Sequence, residues 1–209
     1  MDEPTPVVVY GSGGHAAVIV DIIECLQSLR VGGVCDHEAD RLGVHFLGYT
    51  VGAPDDYPLE WPFVVGLGDN QERAQRVAEL AARGRRFVAA LVHPRACVSR
   101  HATLGEGTVV MAGAVINPRS TLGSHVIVNT RASIDHDCVL GDYAHISPGA
   151  NVAGRVSVGA FTQVGIGASV IQVIRIGSRV VIGAGAVVIR DVPDDVVMAG
   201  NPARLLQGR

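Results

Sequence analysis

From Val98 to Val188 every sixth residue is aliphatic without a miss: Val98, Leu104, Val110, Ile116, Leu122, Val128, Ile134, Leu140, Ile146, Val152, Val158, Val164, Val170, Ile176, Ile182 and Val188. Two residues before most of them stands a small side chain, as at Ala96, Ala102, Ala114, Ser120, Ala132, Cys138, Ala144 and Ala150. Positions two apart on a strand share a face, so each hexad reads as a short strand turning two side chains inward, then a corner. A second period overlies the first, since Leu104-Gly105, Leu122-Gly123, Leu140-Gly141, Val158-Gly159 and Ile176-Gly177 recur every eighteen residues. Three hexads therefore close one triangular coil. About five coils stack into a prism roughly 24 Å long at the spacing between strands, a parallel β-helix of hexapeptide repeats. Residues just after the aliphatic one are rich in Gly, Asn and Asp, which tolerate turn backbones.

The middle residue of each strand points out of the prism. One such column reads Val109, Ile127, His145, Gln163 and Val181. Being apolar at its ends, it is the face expected to meet another subunit. A lone prism has no deep cleft, whereas prisms packed about a three-fold axis create clefts between neighbours, so a homotrimer is expected.

The repeat fills only part of the 209 residues, and just 4% of the chain is aromatic, so its core must be built from small aliphatic side chains. A net charge of −3 gives no electrostatic reason to expect nucleic acid or an anionic membrane surface. Cys25, Cys35, Cys97 and Cys138 show no CxxC spacing, which points away from a zinc site or a disulfide framework. The opening MDEPTP lacks the pattern of a signal peptide, and no apolar run reaches membrane-spanning length. A cytoplasmic setting is expected.

Ahead of the repeat, residues 1–92 read as a small parallel α/β domain, with 93–209 forming the β-helix. Pro6–Tyr10 is a buried strand leading into Gly11-Ser-Gly-Gly-His-Ala16 and a helix from about Ala17 to Leu29. A strand, a glycine turn and a helix start make an anion site, because free N–H groups and the positive helix end converge there. The spacing also fits a dinucleotide fingerprint, but the α/β portion is only half of what a dinucleotide needs. A second strand, Val31–Cys35, ends in Asp36-His37, which suits a ribose or base contact as well as it suits a solvated turn. A third, Phe63–Leu67, leads to Gly68, with Asp69 or Asn70 capping a helix from Gln71 to Arg83. Phe87–Leu91 closes the domain as a fourth strand, and His93-Pro94 breaks the chain away from it.

Within the repeat, Ile134-Asp-His-Asp-Cys138 sets a histidine between two carboxylates. His136 falls at a corner, exposed, and is read as a general base, with Asp137 orienting it and supporting its positive charge. His136 and His145 should lie on the order of 10–15 Å apart within one chain. They therefore meet across a subunit boundary or hold different parts of one ligand. Cys138 belongs to the small inward column and reads as core packing rather than a nucleophile. No HxxxxH pair occurs, and no metal is expected.

Tyr10-Gly-Ser-Gly-Gly-His-Ala16, Gly68-Asp-Asn70 with Arg73, Ile134–Cys138, His145 and Ala199-Gly-Asn-Pro-Ala-Arg204 together resemble the left-handed β-helix sugar acyltransferases with an N-terminal Rossmann-like domain. That family includes bacterial nucleotide-sugar N-acetyltransferases of the UDP-4-amino-sugar (bacillosamine) and GDP-perosamine types and sialic acid O-acetyltransferases. The left hand, which runs against the usual right-handed crossover, comes from the resemblance alone. The resemblance implies acetyl-CoA as co-substrate, His136 as base and Asp137 as the group raising its basicity. It implies that His145, Gly154, Ile166 and Ala184 lie along acetyl-CoA, and that Gly13, Gly14, His15 and Asp36 meet the nucleotide sugar; His37 and Gly68 are further substrate-binding candidates. One departure stands out: where relatives commonly read Ile-Pro-Gly-Val, this chain has Ile171-Gln-Val-Ile174. The expected activity is direct N-acetylation of a UDP- or GDP-linked amino sugar. The oxyanion donor is left open between His145 and a backbone N–H of the neighbouring coil. Sugar O-acetylation of the sialic acid type and a catalytically inactive nucleotide-sugar-binding trimer are the alternatives.

Overall fold

The computed structural model describes residues 3–208, so Met1 and Asp2 of the opening segment, and Arg209, lie outside it. The N-terminal strands are β1 (Thr5–Tyr10), β2 (Leu29–Cys35), β3 (His45–Phe46), β4 (Tyr49–Gly52) and β5 (Phe63–Val65). They form a sheet in the order β3-β4-β2-β1-β5, parallel except for the β3–β4 hairpin. Helix α1 (Gly14–Glu24) starts three residues earlier than its apolar spacing suggests, immediately after the Gly13 cap. Helix α2 (Asn70–Ala82) is capped by Asp69, whose side chain accepts from the N–H groups of Gln71 and Glu72 at 2.9 Å.

The expected fourth strand of this sheet belongs elsewhere. Phe87 makes only an isolated bridge to Phe63. The strand proper, β6 (Ala90–Val92), pairs in parallel with Thr108–Val110 and so joins a wall of the β-helix. The chain thus passes from one unit into the other without leaving the sheet network.

From Cys97 the two-residue strands of successive coils stack in register, for example Ile116 on Ile134 on Val152, and Leu122 on Leu140 on Val158. Three parallel walls result, and an antiparallel pair, Val196–Ala199 with Arg204–Gly208, closes the end. The inward aliphatics from Val110 to Val188 are buried in one continuous core. Each contributes roughly 1.5–3 kcal/mol of burial, most of it offset by ordering the chain. Gly105, Gly141 and Gly159 line a corner where an added Cβ would run into the backbone of the next coil, which explains their eighteen-residue recurrence.

The left-handed backbone position is the third residue after each aliphatic one rather than the first. It recurs every six residues from Gly107 to Gly185, often with a side chain present. His125, Tyr143 and Phe161 occupy three such positions, and their rings stack at 5.4 and 5.0 Å. Val173, within the Ile171–Ile174 departure, occupies another with φ 64°. This conformation costs a non-glycine residue about 1–2 kcal/mol, and branching at Cβ worsens it. Val173 is 58% exposed, so little burial compensates. Glycine's own entropic penalty of ~0.5–1 kcal/mol leaves a net gain, so Val173→Gly is expected to raise the thermal midpoint by about 2 °C. An unchanged or lower midpoint in a scanning melt would show that this corner is unstrained.

The wall carrying the His145 column is not free to meet another subunit along its first half. Val109 and Ile127 pack with Ala16, Ile19, Ile23 and Leu91 in one core cluster and are 2% and 1% exposed. An outward apolar column needs a cover, and here α1 and β6 of the same chain supply it. Gln163 and Val181, further along, are only half-buried.

Candidate active site

The corner between Ser133–Ile134 and Val139–Leu140 carries the expected histidine, and its two flanking carboxylates do different things. Asp135 turns back on the chain, where its Oδ1 accepts from the His136 N–H at 2.8 Å and from Asn117 Nδ2 at 2.9 Å. Asp137 instead meets the ring, with Oδ2 lying 2.6 Å from His136 Nδ1. Arg119 on the preceding coil grips both Asp137 oxygens, Nε to Oδ1 at 2.6 Å and Nη2 to Oδ2 at 2.8 Å. The Arg119 fork and then the His136 contact hold the Asp137 carboxyl well below the usual carboxylate range. An ionised carboxylate only accepts, so Nδ1 carries a proton, and in the neutral ring Nε2 is the nitrogen that keeps its lone pair. The ring is 48% exposed. Gly154, one coil on, lies against that nitrogen, and a Cβ there would stand 2.8 Å from Nε2. Sequence reasoning missed Arg119, although it stands one eighteen-residue period before Asp137.

Cys138 is fully buried and its thiol donates to the Ala153 carbonyl at 3.2 Å. Burial pushes the thiol's pKa up, which does not suit a nucleophile.

A second group of expected residues gathers where the α/β unit meets the β-helix. His145, 8% exposed, has Nδ1 3.3 Å from the Gly68 carbonyl and Nε2 3.1 Å from Asn129 Nδ2. A carbonyl accepts and an amide nitrogen donates, so the ring is neutral with its proton on Nδ1. The His15 ring lies 6.4 Å away, and its Nε2 is buried without a hydrogen-bond partner among the described residues. Buried Arg73 knits this seam, donating to the carbonyls of Leu67, Gly68, Asp69, His125 and Tyr143 and to Asn70 Oδ1. It is a second residue whose role went unread in the sequence.

Burial depresses the seam histidines, followed by His145 and then Arg73 for His15 and by Arg73 for the other two: His15 to about 3, His125 to about 4 and His145 to about 4. The unfolded chain takes up these protons near pH 6.5 while the folded chain refuses them. Stability is therefore full above that pH and falls as pH drops from about 6.5 toward 4. Thermal midpoints across that range are expected to decline in wild type and to decline less in His125→Phe. Parallel declines in the two would remove this seam from the acid response.

The remaining substrate candidates sit at the strand ends. Gly13 and Gly14 are exposed at the start of α1. Asp36 and His37 line a cavity of about 200 Å³ with Tyr10, Leu42, Pro54 and Glu79. Burial raises the Asp36 carboxyl, but bonds from Ser12, Glu38 and His37 outweigh it and leave the group below its ordinary value. The His37 ring stacks on Tyr10 at 6.0 Å.

Ile166 and Ala184 follow one another at a different corner, both exposed, between the His145 wall and the Ser169–Val170 wall. His136 stands at another edge, joining the Ser169–Val170 wall, which also carries Ser133–Ile134, to the third wall, which carries Val139–Leu140. In a triangular coil that edge lies opposite the His145 face. One chain therefore does not bring His136 and Gly154 together with His15, Gly68, His145, Ile166 and Ala184.

Among the described residues, Asp21, Cys25 and His93 have metal-ligand spacing, with their ligand atoms within 4.8 Å of one another. The Arg95 N–H donates to His93 Nδ1 at 2.9 Å. That leaves the neutral ring's proton on Nε2 and no lone pair for an ion. No helix among the described residues is long and apolar enough to cross a membrane.

A family model described as the PglD N-terminal domain matches residues 6–80. UDP-N-acetylbacillosamine N-acetyltransferase of Bacillus subtilis (strain 168) is 40% identical over 113 residues. That match spans about half of each protein, 51% of this chain and 51% of that enzyme. The acetyltransferase domain of PglB from Neisseria gonorrhoeae FA1090, solved with acetyl coenzyme A, is 38% identical with a TM-score of 0.89, covering 97% of this chain and 100% of that one. PerB from Caulobacter crescentus, solved with CoA and GDP-perosamine, is 38% identical with a TM-score of 0.87, covering 96% and 97%. WeeI from Acinetobacter baumannii AYE, at 24% identity and a TM-score of 0.86 over 97% and 100%, shares the fold. With near-complete coverage at this identity, the chain belongs to the hexapeptide-repeat β-helix sugar acetyltransferases that carry an N-terminal Rossmann-like domain.

Proposed function

We propose that this chain transfers the acetyl group of acetyl-CoA to the amino group of a UDP- or GDP-linked 4-amino sugar. The observation that carries this is the His136–Asp137 contact, which leaves a lone pair on Nε2 at an exposed corner with only a glycine beside it. The relatives support the substrate class, since one is named for UDP-N-acetylbacillosamine and another was solved with CoA and GDP-perosamine. Residues 1–92 hold the nucleotide sugar, with Asp36 and His37 at the nucleotide and His15 and Gly68 toward the sugar. Residues 93–209 hold acetyl-CoA against Gly154, Ile166, Ala184 and His145.

In the reaction the sugar nitrogen bonds to the thioester carbonyl carbon. His136 Nε2 takes the proton that nitrogen sheds, and Asp137 supports the resulting imidazolium. The C–S bond then breaks, and the proton passes to the departing CoA sulfur. His136 and the His145 seam face opposite ways in one chain, so a complete site takes the dyad of one copy and the seam of another. A homotrimer satisfies this. Four free cysteines and these co-substrates fit a reducing cytoplasm.

The test is a thiol-release assay with acetyl-CoA against UDP- and GDP-linked 4-amino sugars and free sialic acid. Turnover with one of the nucleotide-linked amines is the expected result. Turnover with sialic acid alone, or with no acceptor amine or hydroxyl tried, would overturn the proposal.

A further inference from the structure

We propose that Arg119 is a positioning residue for this reaction, fixing the Asp137 carboxylate against His136 and offsetting part of its charge. The inference rests on His136 acting as the base. Arg119 Nη2 and His136 Nδ1 share the same oxygen, Asp137 Oδ2, at 2.8 and 2.6 Å. The second arm of the fork, Nε to Oδ1 at 2.6 Å, fixes the carboxylate plane. An aspartate carboxylate otherwise turns over a broad torsional range, and this one stands at an exposed left-handed corner (φ 60°). Arg119 leaves the equivalent position one coil earlier, with φ 62°, so the stacking of coils sets the fork's reach.

The fork alone does not imply chemistry. Arg179 repeats it on Asp195, at 2.6 and 2.6 Å, with Asp194 and Val196 flanking that aspartate in place of a histidine. Such pairs tie neighbouring coils together. The shared oxygen with an imidazole on it is what separates Arg119 from Arg179.

The charged and titratable groups around the ring come from three coils. Asp135 and Asp137 flank it, and Arg119 lies on the coil before. Arg155, on the coil after, donates its N–H to the His136 carbonyl, and the buried Cys138 thiol lies behind. Removing Arg119 leaves two carboxylates less balanced and favours the protonated imidazole. Because the base works only when neutral, the acidic limb of the kcat/KM profile moves to higher pH.

The experiment compares wild type with Arg119→Gln and Arg119→Lys, both at an exposed site where folding is preserved. Arg119→Gln is expected to lower kcat roughly ten- to hundredfold, with both KM values near wild type and the acidic limb moved up. Arg119→Lys, which keeps the charge and loses the fork, is expected to restore the limb but only part of kcat. A uniform loss at every pH, or no loss, would reduce Arg119 to the coil tie that Arg179 is. Carbon-13 titration of the His136 ring in the free protein separates this from the base assignment. If His136→Ala stays active, that assignment fails by itself. The ring's titration moving between wild type and Arg119→Gln would still uphold the coupling, and an unmoved titration would sink it.

Discussion

His136→Ala is expected to lower kcat by about three orders of magnitude, within the 10²–10⁴ range of general-base losses, while leaving the oligomer and both KM values close to wild type. The reasoning is local. The ring is half-exposed, so its removal creates no core cavity, and surface changes of this kind cost within about 0.5 kcal/mol. Asp137 keeps its Arg119 fork, so no carboxylate is stranded at the corner. What disappears is the nitrogen opposite Gly154, and with it the acceptor for the proton that the attacking amine must lose. An interaction made only in the transition state lowers kcat and kcat/KM together. Steady-state thiol release, with sedimentation to confirm the assembly, makes the measurement. Turnover within a few-fold of wild type would remove His136 from the chemistry.

Why the dyad could be read from sequence while its surroundings could not follows from distance along the chain. His136 and Asp137 are neighbours, and the hexad period alone places them at a corner. Ile134 and Cys138 on either side are fully buried, as that period requires. The seam joins His15, Gly68 and His145 from three separated segments, and only the docking of the two units brings them together. Val109 and Ile127 announced that an outward face needed covering but not what would cover it. β6 is similar, since a short apolar run does not say which sheet edge it will pair with. The left-handed corner positions escaped for another reason. They are fixed by pairing between coils, as where the Val173 N–H donates to the Gly154 carbonyl at 3.0 Å, so the residue type carries little of the signal. The aromatic stack of His125, Tyr143 and Phe161 and the Arg119–Asp137 fork both follow the eighteen-residue period, and both become visible once the chain is read in coils rather than hexads.

That coil-to-coil logic makes Gly154 the most sensitive position next to the dyad. An alanine there would set its Cβ 2.7 Å from Cε1 and 2.8 Å from Nε2 of His136, closer than side-chain carbons tolerate. Gly154 is not among the residues with positive φ, so its backbone accepts alanine, and the strain must be relieved by the ring. Nδ1 is tied to Asp137, and Asp137 is tied to Arg119, so the ring swings outward about that anchor and Nε2 leaves the position facing the thioester. A displacement on the order of 1 Å costs about 10² in rate. Gly154→Ala is therefore expected to lose at least a hundredfold in kcat with a thermal midpoint within a few degrees of wild type. The double variant with His136→Ala should lose little beyond His136→Ala alone, because both changes remove the same interaction. Additive losses in that cycle would mean that Gly154 acts on acetyl-CoA independently of the histidine, and full activity in the single variant would mean that the ring has room to spare.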